Sequence, residues 1–291
     1  MIDPARFSDN VRQLWEMSSP CRLCPRRCGV ERQAGEVGFC GIGIEPLVCS
    51  TGPHFGEERV LVGTRGSGTI FFAGCNLGCV FCQNYDISHQ RTGRPITIEQ
   101  LAQTMLELQH IGGVNVNFVT PTHVIAPIAA AIELAREQGL TIPTVYNTGG
   151  YDSVETLRLL AGLIDIYMPD MKYADADVAK ELSDAADYPQ VNFAAVKEMH
   201  RQVGDLQTEH GVATRGLLVR HLVLPKGQAG SEPIIDFLAD EISPHTAINV
   251  MGQYRPCYQA GVHPKINRRN TREEITVVRH YAKDRGLTIL D

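Results

Sequence analysis

Beyond residue 68 the chain alternates between two hydrophobic periods. Residues 69–73 (TIFFA) are a short apolar run of the kind a buried strand needs. Over 97–111 the apolar positions Ile98, Leu101, Ala102, Met105 and Leu108 fall three and four apart, which puts them on one face of a helix. Thr97 and Gln100 form a capping-box pair at its start. Val114, Val116 and Phe118 then alternate with asparagines, the period of a strand. The succession repeats: a helix over 124–138, a strand over 144–147, and a helix capped by Asp152 with Glu155 three residues on. A strand over 164–168 leads into an irregular helical region to about residue 203. Strands over 217–224 and 247–251 flank a helix over 233–241. Thr271 and Glu274 form a second capping box, opening a last helix to about residue 285.

Six strands alternating with helices predict a parallel sheet, because each crossover returns the chain to the same edge. Strand content fits an open doubly wound sheet and a partial barrel equally. Polar residues collect at strand C-terminal ends, at 120–122, 147–148, 170–172 and 253–254. Both architectures place their ligand there. No repeat or low-complexity stretch interrupts the pattern.

Composition narrows the function classes. Hydrophobic residues are 43% of the 291, enough for a sizeable core. Net charge is −6 and no long basic block occurs, which argues against nucleic acid as the partner. No run approaches the ~18 apolar residues of a membrane span. Residues 1–17 lack an apolar signal core and read as a polar helix, so a cytoplasmic protein is expected. Seven of the nine cysteines fall in two tight groups. In a reducing compartment that clustering argues for metal ligation over disulfides. The isolated Cys49 and Cys257 read as free buried thiols.

The second group is Cys75-x3-Cys79-x2-Cys82, one thiol short of a closed site. A structural zinc normally takes four ligands. Three thiolates on one loop can instead hold three irons of a [4Fe–4S] cluster and leave the fourth iron open to a reactant. The spacing, with Phe81 just before the last cysteine and a strand just before the loop, resembles the radical S-adenosylmethionine (radical SAM) superfamily. The stretches GSGTIFFAGCNLGCVFCQNYDIS, VTPTH, YNTGGYD, DIYMPDMKY and RHLVLP are similar to its branch related to the pyruvate formate-lyase activating enzyme. That resemblance covers nearly the whole chain.

The resemblance implies a partial (β/α)6, TIM-like barrel over 67–291, preceded by a cysteine-rich module over 1–66. It implies a [4Fe–4S] cluster on Cys75, Cys79 and Cys82, with S-adenosylmethionine bound at the open iron. One electron then cleaves the cofactor to a 5′-deoxyadenosyl radical, which takes hydrogen from a substrate. A reductant such as flavodoxin or ferredoxin is implied. Phe81 is expected near the adenine, with polar backbone contacts over 81–83, Gln83 included. Where the activating enzymes have Gly-Gly-Glu, this chain has Thr120-Pro121-Thr122, whose carbonyls or hydroxyls take over the contact. Asn147 and Thr148 match the turn after the third strand. Asp170 and Lys172 match an Asp-x-Lys after the fourth; being two apart, they share a strand face. The plainer reading of that pair is a solvated ion pair. Arg220 and His221 interrupt an apolar strand. Arg220 is favoured for the lumen, as a bidentate carboxylate holder, and His221 as a bonded core histidine.

The first group, Cys21-x2-Cys24-x3-Cys28-x11-Cys40, can close a site by itself. Zinc and a second [4Fe–4S] cluster both fit, with Cys-Gly pairs at 28–29 and 40–41 suiting tight turns. Arg22, Arg26, Arg27 and Arg32 can offset thiolate charge, meet an acidic partner, or form a solvated face. Residues 51–58 read as a polar linker, in which His54, Glu57 and Glu58 can reach the site mouth as proton-handling groups. The expected action is hydrogen abstraction from a protein glycine. The alternatives are radical modification of a small molecule or another side chain, and a non-enzymatic electron-transfer or cluster-carrier role.

Overall fold

The computed structural model describes residues 6–290. Its frame is a ten-stranded sheet. Helix α1 (Asp9–Glu16), capped by the Ser8 hydroxyl, falls within the expected N-terminal helix, of which residues 1–5 lie outside the described residues. The cysteine-rich segment follows, then β1 (Leu47–His54), α2 (Arg59–Val62) and β2 (Ser67–Phe72). After the second cysteine group come α3 (Tyr85–Ser88), β3 (Arg94–Pro95), α4 (Ile98–His110), β4 (Val116–Val119) and α5 (Ile125–Glu137). Next are β5 (Thr144–Thr148), α6 (Val154–Leu159), β6 (Ile166–Pro169), α7 (Ala176–Ser183) and α8 (Tyr188–Val203). The chain ends through β7 (Gln207–Glu209), β8 (Val212–Leu222), α9 (Ser231–Phe237), β9 (Ala247–Met251), α10 (Arg272–Asp284) and β10 (Thr288–Leu290).

The six expected strands, β2, β4, β5, β6, β8 and β9, pair in parallel in that order. The sheet starts at β10 and ends at β3, so it is open and curls as a partial barrel. Alternation by two separates its faces. Ile70, Phe118, Tyr146, Val219 and Ile248 face the helices and join the main core. Val145, Ile166, Met168 and Leu218 form a second apolar set, completed by Leu61 of α2 and Ala213. Leu61 thus floors the lumen. Both capping boxes form as expected, at α4 and α10. Among the described residues, no helix is long and apolar enough to cross a membrane.

Four expectations are corrected. Asp152 does not cap α6: Ser153 holds that position without a side-chain bond, while Asp152 is buried and accepts hydroxyl hydrogen bonds. Residues 51–54 are not linker but the end of β1, antiparallel to β2. Pro53 is tolerated there because β3 pairs only with Leu47 and Val48, leaving the far side of Pro53 unpaired. The strand expected over 217–224 starts earlier, at Val212. The helix expected over 233–241 ends at Phe237 and continues as a π-helical turn, Leu238–Ile242.

Leu61→Ala would open a cavity against five lumenal side chains. It should cost about 2–5 kcal/mol in urea denaturation. A loss below about 1 kcal/mol would show that the floor collapses around the smaller residue.

Candidate active site

The C-terminal ends of β2, β4, β5, β6, β8 and β9 surround a cavity of about 630 Å³. One wall carries Cys75, Cys79, Cys82 and Gln83. The lining also includes Thr120, Asn147, Thr148, Asp170, Lys172 and Arg220, together with His54, Glu57, Glu58 and Asn249. The second cysteine group and the polar strand ends are therefore brought together, as the parallel topology requires.

The cysteine loop starts where β2 runs into Gly74. Gly74 has φ +80°, and a Cβ there would lie 2.8 Å from the Cys40 carbonyl oxygen, so only glycine fits. Each thiol of the loop has a hydrogen-bonding neighbour. The Leu77 N–H donates to Cys75 Sγ at 3.3 Å, and the Ser183 hydroxyl donates to Cys79 Sγ at 2.9 Å. Cys82 Sγ and Ser88 Oγ lie 3.1 Å apart. Burial pushes the Cys75 and Cys79 thiols up, against the opposing pull of Lys172. Burial thus disfavours bare thiolates, whereas a metal centre takes up their charge and the donors suit metal-bound sulfur. As the side chains stand among the described residues, no group of three or more His, Cys, Asp or Glu is arranged as a metal cage.

Phe81 does not line the cavity. It is buried beneath the loop, edge-on to Tyr173 and Tyr254 with centroids 6.4 and 5.8 Å away. Thr120 is on the wall in a left-handed conformation, φ +59°, which is strained for a β-branched residue and marks a built feature. Thr122 points away, into a buried knot. Its hydroxyl and that of Tyr146 donate to Asp152 Oδ1, each at 2.8 Å, and Thr148 donates to Oδ2 at 2.7 Å. Burial raises the Asp152 carboxyl, and the three hydroxyls oppose that rise. The knot fixes the loop after β4 to the turn after β5, so Thr120, Asn147 and Thr148 share one rigid wall.

Asp170 and Lys172 form a half-buried ion pair in the cavity wall, not a freely solvated one. Burial pulls the Lys172 ammonium down, but Asp170 outweighs it and holds the charge, and negative charge on Cys79 would add to that hold. Arg220 faces the lumen as expected, yet its guanidinium is already taken. Glu58 binds it bidentately, Nε–Oε1 2.8 Å and Nη2–Oε2 2.7 Å, and Glu57 also accepts from Nη2. Asn249 donates to Glu58 at 2.7 Å. His221 faces the other way, buried between the Met171 carbonyl at 2.7 Å and the Ser231 hydroxyl at 2.8 Å. Sequence reasoning missed Asn249, Ser183, Ser88 and the role of Asp152. The one usable signal was Arg220 itself: an arginine inside an apolar strand demands a buried acid, although spacing cannot say which.

In the N-terminal group, Cys21, Cys24 and Cys40 are buried and Cys28 is exposed. Burial pushes the Cys24 thiol up to about 12, with the Cys40, Cys21 and Cys28 thiols adding to it and the Arg26 N–H opposing. Arg27 pairs with Glu155 at 3.3 Å and Arg22 is exposed. Arg26 and Arg32 are not a solvated face: both turn inward.

Glu58 gives a pH prediction. Burial raises its carboxyl, but the bond and charge of Arg220 and the bond from Asn249 hold it below the usual 4.5. A folded value below the unfolded one stabilises fully above the unfolded value, and the gain is lost as pH falls through the folded value. Glu58→Gln should therefore cost about 3 kcal/mol near neutral pH, the low end for a broken buried pair because Glu57 still faces Arg220. The gap to wild type in urea denaturation should narrow below pH 4.5. A gap that stays constant into that range would contradict the pairing.

Comparison with known proteins agrees with this geometry. The model of the radical SAM superfamily matches residues 69–208. An uncharacterized protein of Methanocaldococcus jannaschii is 35% identical over 279 residues, covering 93% of this chain and 76% of the relative. The pyruvate formate-lyase-activating enzyme of Clostridium pasteurianum is 30% identical over 130 residues, 43% of this chain and 53% of that enzyme. Among solved structures, HydG, a maturase of the [FeFe]-hydrogenase, superposes with a TM-score of 0.54 at 14% identity, covering 79% of this chain and 53% of that one. The chain thus spans about half the length of the activating enzyme and of the maturase, and the maturase likeness is one of fold. With a three-cysteine loop after the first parallel strand, a polar cavity at the strand ends and these relatives, the chain belongs to the radical SAM superfamily.

Proposed function

We propose that this chain reductively cleaves S-adenosylmethionine and takes hydrogen from a substrate at the cavity mouth, with a protein glycyl residue as the target. The carrying observation is that one cavity is lined both by three hydrogen-bonded thiols and by a held ammonium. Cys75, Cys79 and Cys82 would hold the cluster. Thr120, Asn147, Thr148, Asp170, Lys172 and Gln83 would face S-adenosylmethionine. When bound, cluster and cofactor supply a one-electron cleavage of the sulfonium C–S bond and a carbon radical that abstracts hydrogen.

The chain's own residues supply position and dryness. Asp170 keeps Lys172 protonated and oriented for the methionine carboxylate or the ribose. The Asp152 knot keeps the facing wall rigid, and the apolar floor excludes water from below. Because Glu57 and Glu58 occupy Arg220, that residue acts as a strut of the wall and not as a carboxylate receptor. The glycyl target rests on similarity to the activating enzyme of Clostridium pasteurianum. The reductant would be a flavodoxin or ferredoxin, and a second metal at Cys21, Cys24, Cys28 and Cys40 completes the cofactor set.

The reconstituted, reduced protein should convert S-adenosylmethionine to 5′-deoxyadenosine, measured by chromatography. Cys75→Ala, Cys79→Ala and Cys82→Ala should each abolish this. A cluster carrier has no reason to make that product, so its absence from the wild type would favour the carrier.

Asp170→Ala and Lys172→Ala should keep the iron content yet weaken S-adenosylmethionine binding. A lost charged hydrogen bond is worth about 1.5–3 kcal/mol, roughly ten- to a hundredfold in affinity. Wild-type affinity in both variants would reduce the pair to a structural contact.

A further inference from the structure

Arg32 is a buried cation without an acid. It is 3% exposed. Its Nη2 donates to Cys40 Sγ at 2.8 Å, its Nη1 to the His123 carbonyl, and its Nε has no partner. Among the described residues no aspartate or glutamate forms an ion pair with it. A guanidinium does not shed its proton, so the charge is real. Burying it uncompensated costs several kcal/mol. Four neutral thiols offer no compensation. Four thiolates around Zn²⁺ or a [4Fe–4S]²⁺ core make a dianionic centre, which does.

The surrounding backbone is shaped for such a centre. Gly29 and Gly41, which follow Cys28 and Cys40, both have left-handed φ, +69° and +71°. The Phe39 N–H donates to Cys28 Sγ at 3.4 Å. Gly38 packs so closely on Cys28 that a Cβ would lie 2.8 Å from its Sγ.

The same segment grips the loop of the barrel. Arg26, between Cys24 and Cys28, donates to the carbonyls of Asn76 at 2.9 Å, Asp184 at 2.6 Å and Ser183 at 3.3 Å. Asn76 follows Cys75, and Ser183 is the residue that donates to Cys79. Arg32 reaches the loop from the other side. It holds the His123 carbonyl, and the His123 ring meets the carbonyl of Ala73, two residues before Cys75, at 2.8 Å.

We infer that Cys21, Cys24, Cys28 and Cys40 hold a dianionic tetrathiolate centre, zinc or [4Fe–4S], with Arg32 as its buried counter-cation. The centre braces the Cys75–Cys82 loop through Arg26. This deepens the second-metal part of the proposed cofactor set, and it makes Arg26 and Arg32 positioning residues.

The experiment uses the full chain, reconstituted without oxygen. It reads zinc and iron per chain, the rate of metal release to a chelator, and hydrogen–deuterium exchange of peptides covering 74–84. Changing all four N-terminal cysteines to Ser should remove about one zinc or about four irons, which tells the two centres apart. Arg32→Met should speed release from the N-terminal centre about tenfold or more, with Arg32→Lys recovering most of it. Arg26→Met should keep that metal and raise exchange over 74–84. Unchanged metal content in the four-cysteine variant would end the second-metal reading. Unchanged release in Arg32→Met would end the counter-cation role, and unchanged exchange in Arg26→Met the brace. Should the four-cysteine variant not fold, the two arginine variants still decide. A wild type that makes no 5′-deoxyadenosine would overturn the proposed reaction and leave these readouts standing.

Discussion

The Arg220–Glu58 pair holds the open barrel together. Glu58 leads into α2, Arg220 stands on β8, and Asn249 of β9 donates to the same carboxylate. Asn147 of β5 lies 3.5 Å from the remaining guanidinium nitrogen. The ion pair therefore ties the segment after β1 to β8, β9 and β5 across the lumen. Such a pair adds little net stability over an apolar filling, but one broken partner leaves a stranded charge. Its value here is register: α2 can floor the lumen with Leu61 only where Glu58 finds Arg220. Glu57 adds a second acid to a single arginine, so this edge of the cavity carries an excess negative charge.

A second cation, Lys172, lines the cavity just beyond the end of β6. Its ammonium pairs with Asp170, which outweighs the pull of burial and keeps the charge. The lumen thus holds its charges at two levels, Arg220 with its acids among the strands above the Leu61 floor and the Lys172–Asp170 pair near the cysteine loop. A ligand carboxylate beside the cysteine loop fits Lys172, since Arg220 is already satisfied.

The parallel frame was legible from period alone. Ile98, Leu101 and Met105 marked a helix, and Val116 and Phe118 a strand, because packing and propensity agree there. The cysteine loop was legible because its chemistry depends on spacing within eight consecutive positions, 75–82. What stayed hidden depends on distant pairing. Residues 51–54 read as linker because Gly52 and Pro53 punctuate them, and only the edge position of β1 makes Pro53 acceptable. Asp152 read as a cap because an acid before a helix usually is one. Three hydroxyls from 122, 146 and 148 drew it inward instead, and no local pattern encodes that meeting. Arg32 is the same kind of case: its burial depends on where Cys40 and His123 arrive in space.

The two cysteine groups show how ligand count divides labour. In the barrel, three sulfurs meet hydrogen-bonding partners from separate elements: a loop N–H, Ser183 at the end of α7, and Ser88 in α3. Their arrangement depends on the whole fold, and the missing fourth ligand leaves room for a reactant. The proposed N-terminal centre would need only its own segment, with turns at Gly29 and Gly41 and a donor from Phe39. A site complete in itself can order before the sheet closes. Through Arg26 it would then present Asn76 and Ser183 in place, so that the loop with the open coordination position does not have to order itself.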